Sequence, residues 1–161
     1  MMLLAIDPGL DTGWAILLDG KLLNAGLGDP PAATGCTKVV IERPQIYQGR
    51  SSRANPNDLI TLAIQVGRYT ERFAAGRDVE HLLPHTWKGT VDPDILCRRV
   101  WASLDEREKD LLGSRLSPLA REPFNAENLT EGKRHNVIDA VGLAKWSLKR
   151  ARAGVFEVLP R

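Results

Sequence analysis

Hydrophobic positions in this chain come in short runs with abrupt stops. Residues 3–7 (LLAID) are apolar up to Asp7, and Pro8-Gly9 closes them. A second run spans residues 12–18. Asp19-Gly20 then separates it from residues 21–27 (KLLNAGL). Short apolar runs bounded by Pro and Gly predict buried strands, and Asp-Gly between two of them predicts a two-residue hairpin. The chain therefore opens on three strands, the third antiparallel to the second. Residues 28–38 (GDPPAATGCTK) hold two prolines and two glycines and make a poor helix. Val39-Val40-Ile41 then repeats the opening pattern: an apolar strand, an acid at its end (Glu42), and a proline break at Arg43-Pro44.

Residues 45–56 (QIYQGRSSRANP) have no periodicity and read as a basic loop. Asn57 or Asp58 is placed to cap the next helix. In it Leu59, Leu62, Ala63, Val66, Tyr69, Thr70 and Phe73 recur at helical spacing, and Gly76 ends it. A fifth strand is predicted at 79–83, helices at 93–104 and 105–112, a loose connection over 114–132, a last helix at 133–152 and a tail at 155–159. This order predicts an α/β domain with a mixed sheet. No repeat or linker divides it, so 1–161 reads as one domain.

Composition narrows the class. A chain of 161 residues, 43% hydrophobic and 26% charged, suits one globular domain. No apolar run approaches the ~18 residues that cross a bilayer, and the start MMLLAID is neither basic nor long enough for a signal peptide. Cys36 and Cys97 lie far apart without a CxxC pair, which suits free thiols in a reducing cytosol and not a zinc site. The expected location is cytoplasmic, with no membrane partner and no small-molecule cofactor. A net charge of +2 argues only weakly for a polyanion. Its distribution says more. Arg43, Arg50 and Arg53 flank the 45–56 loop, Lys133 and Arg134 precede a candidate site, and Lys145, Lys149, Arg150 and Arg152 cluster near the end.

The strategic acids are Asp7 and Glu42, each at the end of a predicted core strand. An ionised carboxylate beside a core is costly unless it is paired or binds a metal. On the last helix His135 and Asp139 are four apart, hence on one face, and Gly142 continues the stripe. Val137, Val141, Ala144 and Leu148 form the opposite, packing stripe. Three carboxylates and one imidazole suit a pair of hard divalent cations. Two such ions can activate water on one side of a phosphodiester and stabilise the leaving 3′-oxygen on the other. In the 45–56 loop, Ile46 and Tyr47 stand beside Arg50 and Arg53. Aromatics stack on unpaired bases and arginine pairs with phosphate, so Tyr47, Arg50 and Arg53 are candidate DNA contacts. Trp87 reads as core, and Asp11 as a turn residue.

The segments IDPGLDTGWAIL, VVIERPQ and HNVIDAVGLAKW resemble the three signature blocks of RuvC-type Holliday junction resolvases, most of all the shorter phage-type members, within the RNase H-like superfamily. The resemblance covers nearly the whole chain. It implies an RNase H-like, five-stranded mixed sheet with helices on both faces. It also implies Mg²⁺ or Mn²⁺ dependence with two ions per site, a homodimer, and paired symmetric nicks in four-way DNA junctions that leave 5′-phosphate and 3′-hydroxyl ends. By position, Asp7, Glu42 and Asp139 match the family's acids, and His135 lies near a position that holds an acid or histidine. Lys88 in TWKG matches a lysine placed near the scissile phosphate. Lys133 and Arg134 join the expected DNA contacts.

The chain departs from the pattern in three places. The family often spaces its last two ligands by three, where Asn136 stands here, so the fourth ligand is His135, Asn136 or a water. Asp92-Pro93-Asp94 occupies the region of a second family lysine. The usual helix between strands three and four is missing. A connection of about 11 residues reaches roughly 35 Å and three strand spacings need only ~14 Å, so an extended crossover suffices. It leaves one sheet face thinly covered, and a dimer partner or another helix is expected to cover it. Two rival readings keep the fold: a less selective nuclease for branched DNA or RNA–DNA hybrids, and a catalytically silent DNA-binding module.

Overall fold

The computed structural model describes residues 1–32, 34–45 and 55–153, with side chains of the last helix through Lys149. Five strands form one sheet: β1 (Met2–Asp7), β2 (Gly13–Leu18), β3 (Lys21–Leu27), β4 (Lys38–Glu42) and β5 (Asp78–Leu82), in the order β3-β2-β1-β4-β5. β1, β2 and β3 are antiparallel neighbours, while β4 runs parallel to β1 and β5 parallel to β4. This is the five-stranded mixed sheet that the sequence reading expects. The β2–β3 turn carries Asp19 at φ 49° and Gly20 at φ 90°. Positive φ at both turn residues matches the right-handed twist of the flanking strands, which is why Asp-Gly sits there.

The helices are α1 (Pro56–Ala74), the single turn α2 (Pro84–Trp87), α3 (Pro93–Ala102), α4 (Glu106–Leu116) and α5 (Arg134–Ala153). Strand alternation divides the core in two. Leu3, Ala5, Ala15, Leu17, Leu22 and Val40 face α5, with α3 and α4 alongside. Leu4, Ile6, Val39 and Ile41 face Val66, Tyr69 and Phe73 of α1. Val137, Val141, Ala144 and Leu148 are buried as their stripe predicts, and burying each large aliphatic side chain contributes roughly 1.5–3 kcal/mol. Among the described residues no helix is long and apolar enough to cross a membrane.

Several boundaries differ from the sequence reading. Asn55, not Asn57 or Asp58, caps α1: its side chain accepts from the Asn57 N–H, and Pro56 takes the first helical position, where a missing N–H costs nothing. Leu59, Leu62 and Thr70 are only half-buried and Ala63 is exposed, because α1 packs along β4 and β5 at its C-terminal half. α2 stands where the sequence reading assigned no element. α4 runs past Leu112 to Leu116 through Gly113, whose missing side chain leaves room for the Phe124 ring. The β3–β4 connection contains no helix among its described residues. On the α1 side Trp14 and Ile16 stay half-buried and Leu18 is exposed, so that face is thinly covered as expected.

Candidate active site

Register places the first two acids. β1 and β4 pair with Ile6 beside Ile41, so Asp7 and Glu42 leave neighbouring parallel strands side by side. Each lies two residues beyond a side chain that faces α5, Ala5 or Val40, and so points to the same side. Asp139 comes from the second turn of α5. The helix approaches because Gly13 and Gly142 lack side chains. A Cβ on Gly13 would lie 1.9 Å from the carbonyl oxygen of Asn136, and one on Gly142 would meet Val100 at 2.8 Å and Trp87 at 3.0 Å.

Lys88 stands among these acids. Its Nζ is 3.1 Å from Asp139 Oδ2 and donates to Glu42 Oε1 at 3.3 Å, with Glu42 Oε2 at 3.2 Å. The α2 turn fixes its stem: the Lys88 N–H donates to Pro84 O at 2.9 Å, and Gly89, at φ 63°, donates to His85 O at 3.1 Å. The Trp87 indole N–H donates to Glu42 Oε2 at 2.6 Å. Trp87 is buried, as expected of a core residue, yet it also orients Glu42. A cavity of about 550 Å³ between α2, α3 and α5, lined by Trp87, Leu96, Val100 and Trp146, reaches Lys88.

Burial holds Asp7 well above the usual carboxylate range, and the charges of Glu42 and Asp139 push it further; Lys88 opposes them. Burial also raises Glu42, although Lys88 and the Trp87 hydrogen bond pull it back. For Lys88, burial alone would lower the ammonium, but Asp139, Glu42 and Asp7 outweigh it and raise it above its ordinary value. Beside the cluster, burial pushes the Cys97 thiol up to about 12, with Asp139 and Asp94 adding to it, so it stays protonated near neutrality.

The structure thus brings together Asp7, Glu42, Asp139 and Lys88. His135 is exposed at the start of α5, and Asn136 presents its backbone to Gly13. Lys133 pairs with Asp11 at 2.6 Å, tying the turn after β1 to the start of α5. Arg134, expected to contact DNA, is fully buried instead. Its guanidinium donates to Leu116 O at 3.1 Å, Glu122 O at 2.6 Å, Asn128 O at 3.2 Å and Asn128 Oδ1 at 2.7 Å. It organises the connection before α5 and has no face left for phosphate. Tyr47, Arg50 and Arg53 lie outside the described residues. Lys145 is held by the buried Glu108 at 2.8 Å, whereas Lys149 is exposed.

Among the described residues no group of three His, Cys, Asp or Glu side chains stands as a ready metal cage; the Lys88 ammonium lies between Glu42 and Asp139. The donor set nevertheless fits a hard divalent ion, since all three acids offer oxygen and the nearby thiol is protonated.

No protein-family model and no curated protein matches the sequence. Among solved structures, the chain is similar to Thermus thermophilus RuvC in complex with a Holliday junction substrate, with 18% identity, 94% of this chain and 96% of that chain covered, and a TM-score of 0.47. It is similar also to a second Thermus thermophilus RuvC structure, with 17% identity, 96% and 97% covered, and a TM-score of 0.44.

Proposed function

We propose that this chain is a metal-dependent, structure-selective endodeoxyribonuclease that resolves four-way DNA junctions by paired symmetric nicks. The observation that carries the reading is the meeting of Asp7, Glu42 and Asp139, from two parallel strand ends and one helix, around Lys88. Buried acids that raise one another's pKa are costly to keep without a cationic ligand. Asp7, Glu42 and Asp139 would hold two Mg²⁺ or Mn²⁺ ions, with His135, Asn136 or water completing the set. The bound metal supplies activation of water and stabilisation of the leaving 3′-oxygen. Trp87 orients Glu42, the α2 turn positions Lys88, and the Lys88 ammonium lies where it can meet a phosphate's negative charge. A homodimer with two-fold symmetry would present two such sites to strands of like polarity.

The test is incubation with a mobile four-way junction, a duplex, a flapped duplex and an RNA–DNA hybrid, each with Mg²⁺ or Mn²⁺, followed by nick mapping. Paired symmetric nicks in the junction, absent in Asp7→Asn, are expected. Equal cutting of flaps or hybrids would mean the less selective nuclease, and cleavage unchanged in Asp7→Asn would remove the cluster from the chemistry.

A further inference from the structure

The proposed metal site has a resident cation of its own. Lys88 contacts both oxygens of Glu42 and one of Asp139, and its charge acts on Asp7 as well. Its side chain is 23% exposed and those of Glu42 and Asp139 11% and 16%, so water screens these pairs only in part. The ammonium rests over the Trp87 ring, 5.1 Å from its centre, and is carried on a hydrogen-bonded turn. Its four-carbon stem has several rotatable bonds, so the head can swing while the turn stays put.

We propose that Lys88 is a built-in counter-ion, occupying between Glu42 and Asp139 a cation position that a divalent metal must take from it. This inference rests on the metal-site reading above. The metal-free fold then avoids three unpaired carboxylates. Metal binding ejects the ammonium toward solvent, where it becomes available to a phosphate. Metal and lysine compete for the same oxygens, so each weakens the other's hold by the same factor.

The experiment uses the full chain without DNA. Mn²⁺ affinity is measured calorimetrically for wild type, Lys88→Met and Lys88→Arg. Lys88→Met is expected to bind Mn²⁺ about tenfold tighter or more, and Lys88→Arg to stay near wild type because it keeps the charge. Equal or weaker binding by Lys88→Met would overturn the inference while leaving the metal site standing. Absence of Mn²⁺ binding in every variant would overturn both. Because Lys88→Met removes the counter-charge that the metal-free fold relies on, wild type gives a second reading. Modification of Lys88 by an amine-reactive ester, followed by mass spectrometry, is expected to speed up several-fold when Mn²⁺ is added. Protection by Mn²⁺, or no change, would show that the lysine keeps its place and the inference is wrong.

Discussion

Gly13→Ala joins fold to site most directly. The new Cβ would stand 1.9 Å from Asn136 O, 2.4 Å from its carbonyl carbon and 2.9 Å from the Val137 nitrogen. All three are helix backbone, so no side-chain rotation relieves the clash. Ordinary contact begins near 3.4 Å, and strand and helix must therefore part by roughly 1.5 Å. Overpacking of a core costs about 1–3 kcal/mol, and two rigid backbones belong at the top of that range. For a domain of this size about 3 kcal/mol lowers Tm by roughly 6–12 °C. Asp139 lies one turn beyond the contact, so it moves with the helix, and a misplacement near 1 Å costs about 100-fold in rate. Thermal unfolding followed by circular dichroism, with junction nicking alongside, measures both effects. Gly9→Ala is the control, since its Cβ would meet nothing nearer than 3.5 Å. A Gly13→Ala protein that melts within about 2 °C of wild type would refute the close helix–strand contact.

Metal-free stability should also depend on pH through Asp7. Its native pKa is raised, so the native state holds a proton that the unfolded chain has released. The group therefore lowers stability as pH rises above the ordinary carboxylate pKa and through the native value. Denaturant unfolding in EDTA from about pH 5 to about pH 8 should show Asp7→Asn gaining on wild type as pH rises; parallel curves would refute this. Arg134→Met should lose about 1–3 kcal/mol, because it leaves the buried Leu116 carbonyl without its donor and releases the part-buried Glu122 and Asn128 carbonyls. At a temperature where the variant is folded, its DNA affinity and salt dependence should match wild type, and a shallower salt slope would restore Arg134 as a phosphate contact.

Much of this was legible in the chain. Asp7 and Glu42 follow from two short strands that each stop at an acid and a proline, because period-two alternation fixes which side an end residue faces. Asp139 follows from helical spacing. What the sequence hid is long-range. Lys88 came only from family resemblance, and nothing local says that its ammonium sits between two acids. Trp87 reads as core by its bulk, while its N–H donation to Glu42 depends on a strand 45 residues away in sequence. Arg134 beside Lys133 looks like a basic patch, yet one is buried and the other paired with Asp11. Charge along a chain does not record the direction in which a side chain points.

The three acids stand at positions 7, 42 and 139, and the last is carried by the helix that closes one face of the sheet. A growing chain therefore holds its first two acids for the time needed to make roughly 100 more residues, about 5–20 s at ordinary synthesis rates. Throughout that interval it lacks the third. The cluster cannot form before α5 is made, so whatever chemistry it performs is withheld from the nascent chain until the covering helix is available.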